Sequence, residues 1–470
     1  MFGYVRSVNV KQMAKVGLLL ALLVLAIAPV AAQEPVTIEF VHIFGGEGDI
    51  RADVIQAIAD DFMAQNPNVT VVIRSPSTAY EELFNAVLLS AEQGRAPHIV
   101  QVEEGLTQLA IDSGFFLPIG ELASEAQLAE LDDFLEVVRN YYDVDGTTWS
   151  IPWNSSNPVL YYNKSITDAL GIQISSTEPL TFDGIFAICE GVMMARAAIP
   201  TLTHCMNWAM SSWFPEQWMA MQNALFVNND NGRSARATEV NFDSPEMLRI
   251  AEFYRQMAER GFYTYTGTPN DANGEGALFG SGATALHISS TAGITLFVRG
   301  AAAAGVELGI APLPIPGEDA TNGVTVGGAS VWVTAGHSDA ETQAAVDFIF
   351  FLTSAENDIR WHQGSGYFPN RVSSIEYLTV GGYIDPATGQ EVSWFETFPF
   401  FRIAVDQLMN SAGTIANAGA IIGPAAEVRA ALVQGLQSII DGGVDPAEAM
   451  AAAKARADAV LAEYNALIGQ

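Results

Sequence analysis

The sequence predicts a two-lobed α/β protein, and three observations carry that reading. The chain has 470 residues, 49% of them hydrophobic, which exceeds one core and suffices for two lobes. Strand-like and helix-like patterns alternate from Val36 onward, the order that gives right-handed crossovers and a largely parallel sheet. The pattern changes character in a turn-rich polar stretch, Tyr141–Trp149, and strands resume at Ile151 and Val159.

Before the first strand lies an address. Arg6, Lys11 and Lys15 precede an uncharged apolar run from Val16 to Ile27, and Ala28-Pro29-Val30-Ala31-Ala32 offers a cleavage site before Gln33. The run is short for a bilayer span, so residues 1–32 read as a signal peptide, with an uncleaved anchor as the alternative. No cysteine follows the run, which leaves a lipid anchor unsupported. The mature product is expected beyond the cytoplasmic membrane, in the periplasm or on the membrane's outer face.

Val36–Ile43 alternates as a strand, and Gly45-Gly46-Glu47-Gly48 turns the chain. Val54, Ile58 and Phe62 recur at helical spacing until Asn66-Pro67 stops the helix. Val69–Ile73 is a second strand, Leu83 to Leu88 mark a second helix, and Ile99–Val102 is a third strand. Another crossing between lobes is expected near Ala285–Ser289, and a buried strand over Val324–Thr334. The last third is helical: Ala344–Leu352, Pro424–Ile440, then a helix capped by Asp445 with Pro446 at its first position. One lobe is thus expected from 33–145 with about 290–345, the other from 146–289 with about 346–470.

Charge and motifs narrow the function. Lys and Arg total 21 against 53 Asp and Glu, a net charge of −32, which argues against nucleic acid or anionic lipid as a partner. Cys189 and Cys205, the two cysteines present, suit either a disulfide or two buried thiols, and have no zinc-site partners at ligand spacing. No nucleophile elbow, H-E-x-x-H, Walker loop or C-x-x-C occurs, and the histidines are scattered. Glu103 and Glu104 are adjacent; on a strand they point to opposite faces, so one of them is expected in a cleft as a hydroxyl acceptor. The chain is expected not to be an enzyme, to need no cofactor or metal, and to act as a monomer.

Binding chemistry remains. The stretch Ile151–Lys164 (IPWNSSNPVLYYNK) resembles the crossing segment of the sn-glycerol-3-phosphate-binding proteins of ABC importers, within family 1 of the extracellular solute-binding proteins. Ala96–Glu104 (APHIVQVEE), Gly327–Val333 (GGASVWV) and Trp361–Pro369 (WHQGSGYFP) extend the resemblance, which runs with gaps from about Val36 to the C-terminus. It implies the type II fold of periplasmic binding proteins, two hinge-connected lobes closing on a ligand, with a transporter's membrane subunits as partner.

The branch's ligand positions fall on Tyr80, Glu104, Ser156, Ser290, Gly328, Tyr367 and Arg429, with Trp213 matching one of two wall tryptophans. The second wall position falls near Met210, with Trp208 two residues away, which opens room for a larger glycerophosphodiester such as glycerophosphocholine. Chemically the set is coherent. Arg429 offers forked donors to a phosphate, the serines and tyrosines offer hydroxyls, Gly328 permits close backbone approach, and Glu104 accepts from glycerol hydroxyls. The competing reading on the same fold is an oligosaccharide receptor.

Overall fold

The computed structural model describes residues 34–45 and 49–469. The signal peptide assigned to 1–32 and most of the Gly45–Gly48 turn lie outside these residues. The described chain starts the first lobe as β1 (Val36–Val41), α1 (Ile50–Gln65), β2 (Val69–Arg74), α2 (Tyr80–Glu92) and β3 (Ile99–Glu103). Asp49 caps α1 by accepting from the Arg51 backbone N–H, and Asn66 ends it. β1 pairs in parallel with both β2 and β3. β4 (Phe116–Leu117) and β5 (Ile151–Ser156) add to the same sheet. Between them the turn-rich stretch folds into a small hairpin around Asp145 and Gly146, whose left-handed φ values suit a tight reversal.

Asn157 is the pivot between sheets. β5 belongs to the first, while β6 (Pro158–Asn163) belongs to the second. The Asn157 side chain donates to Ala404 O and accepts from Gln407, and its backbone N–H donates to Thr291 Oγ1, so this pivot is held from three directions. The second lobe then builds α3 (Phe182–Ala195), β7 (His204–Trp208), α4 (Trp213–Met221), β8 (Tyr263–Thr264), β9 (Thr284–Ser290) and β10 (Leu308–Pro312). Its strand order is β8-β7-β9-β6-β10, with β8, β7 and β9 parallel and β6 antiparallel to its two neighbours.

Two expectations are corrected here. Ala285–Ser289 is not a crossing. It lies in β9, which hydrogen-bonds to β7 on one side and β6 on the other, so it sits inside the second sheet. The return to the first lobe comes after Pro312, and β11 (Gly327–Thr334) is inserted there antiparallel to β3 and β5. Both sheets are therefore mixed rather than largely parallel. α5 (Asp339–Leu352) and α6 (Ala355–Ser365) then pack on β1 and α1 in the first lobe. Residues 366–371 make a last crossing, and α7 (Ala425–Ile440) and α8 (Pro446–Leu467) belong to the second lobe's core.

The lobes consequently comprise 34–156 with about 327–365, and 158–312 with about 372–467. This replaces the boundaries read from sequence near 145, 290 and 345. Hydrogen-bonding partners decide which sheet owns a strand, and periodicity reports burial without naming the partner. Apolar clusters cover both faces of the first sheet, α1, α5 and α6 on one side and α2 on the other. A stack of Trp153 on Trp361 at 4.8 Å and Trp361 on Tyr367 at 5.7 Å carries rigidity from that core to the last crossing.

Cys189 and Cys205 form a disulfide that ties α3 to β7. Replacing both with serine is expected to remove about 3 kcal/mol of stability, the loop-closure value for this 16-residue separation. Urea unfolding of the variant measures it, and an unchanged midpoint would show that packing alone holds the loop.

Candidate ligand-binding cleft

Between the lobes lies a cleft of about 850 Å³. Tyr80, Glu104, Ser156, Trp213, Ser290, Gly328, Tyr367 and Arg429 all line it. Their elements explain the convergence. Tyr80 begins α2, Glu104 follows the end of β3, and Ser156 and Gly328 sit on the crossing strands β5 and β11. Tyr367 follows α6, Trp213 begins α4, Ser290 ends β9, and Arg429 is in the second turn of α7. The first lobe thus supplies Tyr80 and Glu104, the last crossing supplies Tyr367, and the second lobe supplies Trp213, Ser290 and Arg429.

Arg429 is the cleft's best-connected side chain. Its Nε and Nη2 donate to Glu216 Oε1 and Oε2 at 2.9 Å each, a side-on fork. Its Nη1 donates to Glu103 at 3.1 Å and its Nη2 to Glu104 at 3.2 Å. Both edges of the guanidinium are engaged, and a single N–H is left over among the described residues. Gly105 makes the approach possible, since a Cβ there would overlap the guanidinium. The forked phosphate contact expected of Arg429 is therefore occupied by carboxylates in this arrangement. Glu103 and Glu216 are partners that periodicity concealed: Glu103 ends β3, and a 3₁₀ turn starts at Glu104, so strand alternation lapses and both carboxylates reach one cation. The expectation that only one of the two faces the cleft is corrected on that ground. Glu216 sits one turn into α4, three residues after Trp213 and bonded by Ser212 at 2.8 Å, a position a single sequence does not mark.

Glu103 and Glu104 are buried side by side on this arginine, and their ionisation is opposed. Burial, and then the Glu103 charge, push Glu104 up to about 8. Burial also raises Glu103, against the pull of Arg429. Glu104 Oε2 further accepts from the Gly328 N–H at 3.0 Å, so the backbone donor expected to meet ligand is held by a carboxylate. Gly328 has φ +111°, and a Cβ there would overlap Asn154 O, which is why no larger residue fits.

The hydroxyl donors are ordered in different ways. A relay runs from the Ile43 N–H to Gln101, from Gln101 to Asn154 and from Asn154 to the Tyr80 hydroxyl, each bond 2.8 Å. Tyr80 therefore accepts from Asn154, and its hydroxyl lies beside that of Tyr367. Burial raises both the Tyr80 and Tyr367 phenols, so both remain donors at neutral pH. Ser290 Oγ accepts from the Ala292 N–H at 3.1 Å, capping a short turn, and retains its proton. Trp213 Nε1 is buried without a partner among the described residues, its ring against Gly327. Trp208 is core: its indole donates to Tyr254 at 3.0 Å. Met210 is fully buried, and the small Ala209, Ser211 and Ser212 line the cleft instead.

The cleft has an electrostatic character of its own. Among the described residues, Glu81, Glu82, Glu103, Glu104, Asp271 and Glu275 line it against one cation, Arg429. First-turn residues of α2, α4 and α7 line it as well, bringing the positive ends of helix dipoles to the cleft.

Such a cleft between two α/β lobes defines a solute receptor. The chain belongs to the bacterial extracellular solute-binding protein family, whose pattern it matches over residues 57–380. It is 26% identical over 435 residues to the sn-glycerol-3-phosphate-binding periplasmic protein UgpB of Rhizobium meliloti (strain 1021), covering 92% of this chain and 95% of that one. The crystal structure of UgpB from Mycobacterium tuberculosis in complex with glycerophosphocholine superposes with a TM-score of 0.72 at 19% identity, covering 91% and 99% of the two chains. The cyclic alpha-maltosyl-1,6-maltose binding protein from Arthrobacter globiformis superposes with a TM-score of 0.71 at 20% identity, covering 91% and 100%. Both superpositions establish the two-lobed fold. Among the described residues no helix is long and apolar enough to cross a membrane.

The raised Glu104 carboxyl makes a pH prediction. Its folded value of about 8 lies above the ordinary 4.5, so folding favours the protonated form. Its stabilising contribution is complete below the ordinary value and is lost as pH rises through the folded one. The melting temperature of the ligand-free protein is expected to fall by a few degrees as pH rises from the ordinary value of 4.5 to about 8 and to level off above it, and Glu104→Gln, which mimics the protonated acid, is expected to flatten that slope. A slope identical in the variant would contradict the assignment.

Proposed function

We propose that this chain is a secreted receptor of an ABC importer that binds sn-glycerol 3-phosphate or a glycerophosphodiester such as glycerophosphocholine. It releases the ligand to the importer's membrane subunits from the periplasm or the outer face of the membrane. It works as a monomer and by binding alone, without catalysis. The observation that carries the reading is the meeting, in one cleft, of hydroxyl donors from both lobes with the Arg429–carboxylate cluster.

Each part of such a ligand has a partner by chemistry. Glycerol hydroxyls donate to Glu103 and Glu104, whose positions Arg429 holds. The phosphate oxygens accept from the Tyr80, Tyr367, Ser156 and Ser290 hydroxyls and from the orphaned Trp213 Nε1, with helix N-termini adding positive potential. The small residues beside Trp213 leave space for a phosphodiester substituent. Because the ligand touches both lobes, it stabilises the closed form over the open one, the differential contact that closure requires.

A sugar receptor is the second reading. The specific observation in its favour is that Arg429 already gives four of its five N–H donors to carboxyl groups, a set of acceptors well suited to sugar hydroxyls.

Isothermal titration of the mature chain with sn-glycerol 3-phosphate, glycerophosphocholine and maltotriose separates the two. Heat from a phosphate ester is expected; heat from maltotriose alone, with neither ester binding at millimolar concentration, would sink the proposal. Tyr367→Phe removes one donor to a charged group without opening a cavity, and is expected to weaken ester binding by about tenfold or more.

A further inference from the structure

The Arg429 cluster has a consequence for which glycerophosphates the cleft accepts, and Glu216 is the residue that sets it. We propose that Glu216 is a specificity-determining positioning residue that makes the cleft discriminate against dianionic phosphate monoesters and favour esters carrying a single negative charge. The inference rests on the glycerophosphate reading above.

The geometry argues it in steps. An arginine facing a phosphate site ordinarily presents one edge of its guanidinium to two phosphate oxygens. Here Glu216 holds the Nε–Nη2 edge with two bonds of 2.9 Å, and Glu103 and Glu104 hold the far end. Glu216 does not swing freely, because the Ser212 hydroxyl donates to its Oε1 at 2.8 Å. It is also largely shielded from water, with 14% side-chain exposure, as is Arg429 at 18%. In that setting the fork neutralises the cleft's one fixed cation.

What the ligand then meets is neutral hydroxyls, helix N-termini and an excess of carboxylates. Those donors accommodate one charge delocalised over a phosphodiester. A phosphate monoester, whose second ionisation lies near pH 6, brings a second charge at neutral pH. That charge faces Glu103 and the other lining acids, while Arg429, the cation among the described lining residues, is already paired. At an effective dielectric of about 20, one unit charge several ångströms away shifts affinity on the order of tenfold to a hundredfold.

The test changes charge at the cost of one added methyl group. The mature chain is titrated calorimetrically at about pH 7.5 with sn-glycerol 3-phosphate, which is dianionic there, and with its monomethyl phosphodiester, which is not. The wild type is expected to bind the methyl diester about tenfold or more tightly than the monoester. Glu216→Gln removes one negative charge and is expected to tighten both esters, the dianionic monoester by about tenfold more than the methyl diester. Glu216→Asp keeps the charge and is expected to keep the preference, whatever happens to overall affinity. A companion measurement needs no variant: on lowering the pH to about 5.5, where the monoester carries one charge, the two wild-type affinities are expected to converge. Equal affinities in the wild type at neutral pH, or equal shifts of both ligands in Glu216→Gln, would overturn the role of Glu216 while leaving the glycerophosphate reading standing. Failure of the wild type to bind either ester would overturn that reading and this inference together.

Discussion

The cleft is organised around one cation shared by three carboxylates. Glu103 and Glu104 come from the first lobe, at the point where β3 becomes a 3₁₀ turn, and Arg429 and Glu216 come from helices of the second. The cluster therefore spans the gap between the lobes. A buried ion pair of this kind contributes little net stability over an apolar substitute, because desolvation offsets the attraction. Breaking it leaves buried charge without a partner, so the geometry that sustains it is closely specified. Gly105 shows this directly, as a position where even a methyl group would collide with the guanidinium.

Around that cluster the fold supplies recognition from neutral groups. The relay from Ile43 through Gln101 and Asn154 fixes the Tyr80 hydroxyl, and the Trp153–Trp361–Tyr367 stack fixes the Tyr367 ring. Both depend on the crossing strands, since Asn154 and Trp153 belong to β5. The hinge and the cleft are thus built from the same residues, and motion of one lobe against the other necessarily alters the cleft. That economy follows from placing the crossing strands at the floor of the ligand space.

The sequence was most informative where local chemistry decides structure. Asp49 and Asn66 bound α1, and Asp445 with Pro446 starts α8, because capping is a matter of residues a few positions apart. The string NSSNPVLYYNK at 154–164 located the first crossing, and the strand change falls within it at Asn157. The glycine at 328 was marked as a place of close backbone approach, and its left-handed φ accords with that. What neighbours Gly328 was not legible, because its N–H turns to Glu104, more than two hundred residues earlier in the chain.

By itself, then, the sequence determined the two-lobe α/β organisation and the main helices, and its resemblance marked the first crossing segment and eight residues that line one cleft. These follow from periodicity, caps and a resemblance carried by contiguous strings. Only the tertiary structure decided which strands each sheet owns, that Cys189 bonds to Cys205, and that Glu216 and Glu103 join Glu104 on Arg429. The physical reason is common to all three. Sheet partners, sulfur partners and ion-pair partners are chosen by proximity across the folded chain, and a carboxylate reads the same in sequence whether it faces water or an arginine.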